Sequence, residues 1–367
     1  MKKVGIVTFH RAKNFGAMLQ AYALQVSLSN DYFVNIIDYR SKEMDAFYYY
    51  PKYSLKYFIK LGAKMVLRTK DTYLELKRDH NFSKFSKKYF KLSKEYDAVS
   101  IFNANYDYDC FVSGSDQVWN PHVNFKDKVF YLNFADKNKR NSYAASLGTN
   151  NFSSEELAEL KNDIKDFKNY LIREQDGIDI VNKLLPNKKT NLVLDPVFLL
   201  SKDEWIKKLN LKQKNRKDYI LVYYIAKPTN STEFAYNLAK ETGLELVYLN
   251  PNHKDFPKNM KIVNSIGPRE FVEYIMNAKY IVTTSFHGLS LGLIFNKKVF
   301  FEKNMNKINN NSRLENLINL LNIGNLEIKD SKVLDFNKKE VDWNKVNKII
   351  QDESMHSLKL LKESLDE

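Results

Sequence analysis

Short runs rich in β-branched and aromatic residues recur along this chain, and between them the apolar residues fall at helical spacing. That alternation predicts parallel sheets with crossover helices, because a strand returning parallel to its neighbour needs a dozen or more connecting residues. The first series reads VGIVTF from Val4, FVNIIDY from Phe33, CFVSG from Cys110, NSYAASLG from Asn141, YLIRE from Tyr170 and LVLDP from Leu192. A second series reads YILVYYIA from Tyr219, LELVYL from Leu244, KIVNS from Lys261, YIVTTS from Tyr280 and KVFFE from Lys298. Helix ends are marked by Ser153 with Glu156, by Asn230 with Glu233 running to a stop at Gly243, by Pro268 in a first turn, and by Ser312 with Glu315. The join lies near LDPVFLLSKDEW, where Pro196 ends a strand and a polar helix starts at about Ser201. The pattern predicts an α/β protein of two Rossmann-like domains facing across a cleft, residues 1–200 and 201–335. An amphipathic helix within 336–367 then packs back on the first domain or mediates a dimer. Ligands of such sheets bind outside the carboxyl ends of the strands.

A length of 367 residues suits two domains with separate cores, and 14% aromatic residues is far too many for a solvating tail. Against 44 acidic residues stand 58 basic ones, a net charge of +14. Residues 52–95 hold 13 Lys or Arg against 4 Asp or Glu, so most of the excess sits there. This stretch is expected to be a basic helical insertion in the first domain, with Leu55, Phe58, Ile59, Met65 and Val66 on one side. Such a helix lies on an anionic membrane surface or simply presents a solvated lysine face. Nucleic acid is excluded as a partner: arginine supplies only 9 of the cations, and no zinc-finger, RNP or helix-turn-helix pattern occurs. A lone Cys110 leaves no disulfide, and the histidines have no metal spacing. No apolar run approaches the ~18 residues of a spanning helix, and no signal peptide opens the chain, so a cytoplasmic location is expected.

Four places carry chemistry. The first strand runs into HRAKNFGAMLQ, where Asn14 and Gly16 open a helix whose free N–H groups suit an anion or a hydroxyl. The three-glycine dinucleotide fingerprint is lacking there. In CFVSGSDQVWNP a strand ends in Ser115, Asp116 and Gln117, which offer hydrogen bonds to hydroxyls, and in Trp119, which offers a face to a sugar ring. In YIVTTSFHGLSLGLIF, His287 stands where a strand meets a helix, placed to move protons near neutral pH; His10, ending the first strand, also faces the cleft. The scarce arginines Arg140, Arg173, Arg269 and Arg313 sit at strand ends or helix starts, where bidentate anion recognition would select arginine over lysine.

Taken in order, NFGAMLQAYALQ, GSDQVWN, YAASLG, REQDG, LDPVFLL and TTSFHGLSLGLIF followed by SRLENL resemble the polysaccharide pyruvyl transferase family, from about residue 4 to about residue 324. The resemblance implies a fold similar to two-domain GT-B glycosyltransferases and a metal-independent transfer without a cofactor. Phosphoenolpyruvate as co-substrate would give its enolpyruvyl group to a sugar hydroxyl of a cell-surface polysaccharide or its polyprenyl-linked precursor, often closing a cyclic ketal. It implies His287 as the catalytic acid or base and an anion site at Ser285 and Gly288. It also implies an arginine two residues before the histidine, where this chain has Ser285, so Arg173 and Arg313 inherit the donor's anions. Asn14, Gly16, Ser115, Asp116, Gln117 and Trp119 would face the acceptor. A polyprenyl-linked acceptor would give the basic stretch a reason to dock peripherally on a membrane. The rival expectations are a GT-B glycosyltransferase using a nucleotide sugar and a non-catalytic glycan-assembly protein.

Overall fold

The computed structural model describes residues 1–47, 69–213, 217–249, 259–303, 311–333, 336 and 340–367. Strands β1 (Lys3–Val7), β2 (Phe33–Tyr39), β3 (Leu92–Tyr96), β4 (Cys110–Ser113) and β5 (Arg140–Ser142) form one parallel sheet in the order β3-β2-β1-β4-β5. Next to it β6 (Tyr170–Ile172) pairs with β7 (Thr190–Leu192), joined to the first sheet by a bridge from Ala145 to Ile172. The second sheet repeats the first one's order with β8 (Tyr219–Tyr223), β9 (Glu245–Leu249), β10 (Lys261–Val263), β11 (Tyr280–Thr283) and β12 (Lys298–Phe301), running β10-β9-β8-β11-β12. In each sheet the order reverses between the first and fourth strands, and this opens a crevice at the carboxyl ends of β1 and β4 and of β8 and β11. Strands such as β4 and β8 are buried along their whole length, as continuous apolar runs in parallel sheets are.

The principal helices are α1 (Phe15–Leu28), α2 (Thr69–Tyr89), α3 (Ser154–Ile164), α4 (Gln175–Leu184), α5 (Lys202–Leu209), α6 (Ser231–Thr242), α7 (Pro268–Asn277), α8 (Phe286–Ile294), α9 (Ser312–Leu321) and α10 (Trp343–Asp366). Reciprocal capping boxes start α3 at Ser153 and Glu156, and α5 at Ser201 and Glu204. Two expected caps differ. Asn311, not Ser312, precedes α9. At α6 the Asn230 side chain caps nothing; the buried carboxylate of Glu302 accepts from the N–H groups of Thr229, Asn230 and Ser231 at 2.8 to 3.2 Å.

The basic stretch departs from its reading as an added helix. Within it α2 connects β2 to β3, and LSKEY is an edge strand of the first sheet, its polar sequence matching an exposed edge. Its earlier portion, residues 52–68 with Leu55, Phe58, Ile59, Met65 and Val66, lies outside the described residues.

Aromatic rings join the two halves. Phe15 of α1 stacks on Phe271 of α7 at 4.5 Å with 9° between the planes, and on Phe82 of α2 at 5.2 Å. Helix α10 returns to the first sheet's side: Lys2 Nζ donates to the terminal carbonyls of Leu365 and Asp366 at 2.8 and 2.9 Å, and Ser364 Oγ donates to Asn141 Oδ1 at 2.7 Å. Among the described residues no helix is long and apolar enough to cross a membrane.

Candidate active site

Asp195 occupies the centre of a charged cluster where the two halves meet. The LDP sequence places it after β7 as N-cap of a 3₁₀ turn over Pro196–Leu199, and its Oδ1 accepts from the Val197 N–H at 3.0 Å. Proline at the first helical position costs no hydrogen bond there, so the turn is fixed and the second oxygen is aimed away from it. That oxygen, Oδ2, lies 2.5 Å from Arg173 Nη1 and 3.5 Å from His287 Nε2, and the carboxylate is wholly buried. Burial alone would push its pKa up, yet the charges of His287 and Arg173 together with the Val197 N–H hold it well below the usual carboxylate range. Asp195 is therefore ionised at every physiological pH.

Arg173, just past β6, spans two carboxylates: its Nη2 is 3.2 Å from Asp116 Oδ1, and Glu174 stands 4.0 Å from its Nε. Despite burial these charges drive its pKa up. Arg313, in the first turn of α9, reaches the same Asp116 oxygen at 3.6 Å. The balance there is opposite. Burial, reinforced by repulsion from Arg173, pulls the Arg313 pKa down because Asp116 does not offset both. Arg313 is thus a largely buried guanidinium short of negative charge. Both guanidinium carbons sit over the Phe286 ring, at 5.6 Å for Arg173 and 5.9 Å for Arg313. Asp116 itself stays ionised, its pKa raised by burial but lowered further by Arg173, His287 and Arg313. Its φ of 72° lies in the left-handed region, and Gly114 at φ 131° leaves no room for a side chain, since a Cβ would meet the Tyr143 carbonyl at 2.1 Å.

His287 reaches this cluster from α8 and rests on the first domain. A Cβ on Gly16 would lie 2.0 Å from its Nδ1, so the imidazole is seated against the bare backbone at the start of α1. Its buried Nε2 makes no hydrogen bond, the Asp195 oxygen being within charge range but outside hydrogen-bond alignment. Of the two helix N-termini flanking the β8/β11 switch point, α6 is closed by Glu302 and α8 carries Phe286 and His287 into the cluster. Among the described residues no group of three or more His, Cys, Asp or Glu is arranged to hold a metal ion.

The structure brings together Gly16, Asp116, Arg173, His287 and Arg313. Others among the expected residues are committed elsewhere. Trp119 is fully buried in the first domain, its Nε1 donating to Ser113 Oγ at 3.1 Å and its ring edge-on to Phe167, so neither face is open to a sugar. Ser115 is fully buried and donates to the Ala144 carbonyl at 3.0 Å. The Gln117 side chain lies against Gly148 and accepts from Asn120 Nδ2 at 2.8 Å. Asn14 caps α1 by accepting from the Ala17 N–H at 3.2 Å. Ser285 caps α8 by accepting from the Gly288 N–H at 3.2 Å, so that N–H is not free for a phosphate. Arg140 and Arg269 donate to backbone carbonyls, at 2.8 Å to Ala135 and 3.0 Å to Leu209. His10 is buried and bonds Asp38 at 3.0 Å and the Thr8 carbonyl at 3.2 Å, with no face on the cleft. Asp195 and Phe286 are the members that sequence reasoning passed over. An acidic residue directly before a helix-starting proline, at a strand end surrounded by apolar residues, was the available sign for Asp195.

A sequence model described as polysaccharide pyruvyl transferase matches residues 14–304. The chain belongs to that family. Every residue of the charged cluster except Arg313 falls inside the matched region of this polysaccharide pyruvyl transferase family member. Among curated proteins, none matches the sequence. Of solved structures, UDP-GlcNAc 2-epimerase from Neisseria meningitidis, bound to UDP-GlcNAc, superposes with a TM-score of 0.56 at 11% identity, covering 100% of this chain and 99% of its own. The UDP-GlcNAc 2-epimerase of Methanocaldococcus jannaschii gives 0.48 at 12% identity over 95% and 91% of the two chains. The E. coli heptosyltransferase WaaC with ADP-2-deoxy-2-fluoro heptose gives 0.38 at 10% identity over 83% and 91%. At such identities the likeness to the Neisseria enzyme is one of fold, the GT-B arrangement of two parallel-sheet domains.

Proposed function

We propose that this member transfers the enolpyruvyl group of phosphoenolpyruvate to a sugar hydroxyl of a polysaccharide or of its lipid-linked precursor. The observation that supports it is the gathering, in one cluster, of His287, whose buried Nε2 makes no hydrogen bond, and Arg313, a largely buried cation whose carboxylate Asp116, 3.6 Å away, is shared with Arg173. A donor with both a carboxylate and a phosphate supplies further negative charge, and a guanidinium takes either in bidentate fashion. Arg173, already held by Asp195 and Asp116, keeps both carboxylates in place. The imidazolium of His287, with the ionised Asp195 as counter-charge, gives its Nε2 proton to the methylene carbon of the enolpyruvate. A C–H bond forms there and the ester carbon becomes electrophilic. A sugar hydroxyl adds to that carbon, its proton returning to the imidazole, and the C–O bond to phosphate breaks with the electron pair leaving on phosphate. Loss of a proton from the new methyl group to the departing phosphate then gives the enolpyruvyl ether; addition of a second hydroxyl instead gives the ketal, with that hydroxyl's proton going to the phosphate.

Thermal denaturation with phosphoenolpyruvate tests this reading. A ligand at a hundred times its Kd stabilises the native state by about 2.7 kcal/mol. Wild type should show a rise in melting temperature that Arg313→Ala abolishes, whereas His287→Ala keeps the rise and loses turnover by about 10²- to 10⁴-fold. Stabilisation by nucleotide sugars but not by phosphoenolpyruvate would refute it and favour glycosyl transfer.

A further inference from the structure

Helix α2 has one face buried in the molecule and an opposite face made almost entirely of cations. Phe82, Phe85, Ser86 and Asp79 are buried, while Tyr73, Lys77, His80, Lys84, Lys87, Lys88 and Lys91 are exposed. Residues spaced by three and four share one side of a helix, so these seven, with Lys91 just past its end, form a single stripe of roughly 25 Å. No carboxylate among the described residues pairs with Lys77, Lys84, Lys87, Lys88 or Lys91; Lys88 only overlies the Tyr89 ring, at 5.1 Å. Some exposed lysines elsewhere pair with acids, as Lys94 does with Asp107 at 2.8 Å and Lys126 with Glu159 at 3.2 Å, whereas the five lysines of the α2 stripe have none among the described residues. A row of like charges left unpaired costs the free protein self-repulsion, and an anionic surface relieves it.

The buried face of the same helix borders the active site. Arg78 Nη2 donates to the Lys13 carbonyl at 2.9 Å, and Lys13 Nζ meets Asp79 at 3.3 Å, in the loop that leads to Gly16 beneath His287. Ser265 Oγ of the second domain donates to the Leu74 carbonyl at 2.9 Å. The stripe and the catalytic cleft are therefore separated by about one helix diameter, some 10 to 12 Å.

We propose that the exposed face of α2 docks the protein on the surface of an anionic phospholipid bilayer, so that the cleft opens next to the headgroups. Lysine, a compact and strongly hydrated point charge, suits a diffuse layer of lipid phosphates better than the forked recognition of a nucleic acid, for which arginine is the usual choice. The one arginine of α2, Arg78, points inward to Lys13. Tyr73, exposed at the stripe's start, is of a type enriched at headgroup depth. The inference goes beyond the transfer reaction and does not depend on the donor, because it is read without turnover.

Vesicle flotation of the full chain tests it, with phosphatidylglycerol–phosphatidylcholine vesicles against pure phosphatidylcholine, at 0.1 M and 0.5 M salt. Wild type should float with the anionic vesicles at low salt and stay in solution with neutral ones. A variant with Lys77, Lys84, Lys87, Lys88 and Lys91 all changed to Gln should bind at least about 100-fold more weakly, since each lysine near such a surface contributes about a fivefold factor. Its melting temperature and phosphoenolpyruvate response should match wild type, as the changed side chains contact nothing in the cleft. Equal flotation of the variant would overturn the assignment to this face. Absence of wild type from anionic vesicles, or tighter binding to duplex DNA than to vesicles, would overturn membrane docking altogether.

Discussion

Gly16→Ala tests how the first domain seats the His287 imidazole, the proton donor of the proposed reaction. The added Cβ would stand 2.0 Å from His287 Nδ1, 2.5 Å from Cγ and 2.6 Å from Cε1, where ordinary contact begins at 3.4 Å, so the ring must retreat by roughly 1.4 Å. Displacing a reacting group by about 1 Å costs on the order of 10²-fold in rate. Stability should respond far less. Overpacking a buried site costs about 1 to 3 kcal/mol, and replacing glycine with alanine in a helix returns about 1 kcal/mol, leaving a net loss of about 0 to 2 kcal/mol. The expected signature is a large fall in turnover with a small fall in melting temperature, together with a shift of the His287 imidazole resonances in ¹⁵N NMR. In a His287→Ala background the ring is gone, and Gly16→Ala should then cost nothing and stabilise slightly. Turnover within twofold of wild type with unchanged imidazole resonances, or the same stability penalty in both backgrounds, would refute the argument.

Two further outcomes follow from the buried charges. Asp195→Asn leaves Arg173 without its closest carboxylate, and urea denaturation should show a loss of about 3 to 5 kcal/mol; a loss below 1 kcal/mol would contradict the bridging role. With pH the sign is fixed by direction: Asp195 and Asp116 have folded-state pKa values below the unfolded 3.8, so their contribution is complete above about pH 5 and is lost as pH falls through the folded values. The stability difference between wild type and Asp195→Asn should thus stay constant from pH 8 to 5 and shrink below pH 4. Shrinkage already between pH 7 and 5 would contradict it.

Much of the architecture was legible because parallel strands buried on both faces are uninterrupted apolar words, and those of the second sheet begin within a residue or two of where the sequence places them. The strand that escaped notice, LSKEY, is an exposed edge strand whose lysine and glutamate read as part of a charged helix. At the site, His287, Asp116, Arg173 and Arg313 stood out as rare or titratable residues at strand and helix ends. What a sequence cannot convey is whether a polar side chain at such an end turns toward the cleft or back to its own loop. Gln117, Asn14 and Ser285 turned back, each satisfying a backbone or amide group three residues away as polar side chains readily do, while Ser115 turned across to the Ala144 carbonyl on the neighbouring strand's loop. Trp119 shows the same limit for apolar surface, because an indole beside a strand end is as useful to a core as to a sugar.

The nearly parallel rings of Phe15 and Phe271 set the direction in which the halves can move. Two flat plates keep most of their dispersion contact while one slides across the other and lose it when pulled apart. We therefore expect the joint to yield by shear along the Phe15 and Phe271 ring planes more readily than by hinge opening. Phe15 is the immediate neighbour of Gly16, so a sideways slide carries the glycine along the ring face of His287. On that expectation, a slide that widens the crevice also shifts His287 relative to Gly16, so opening the cleft and positioning the proposed proton donor would be coupled.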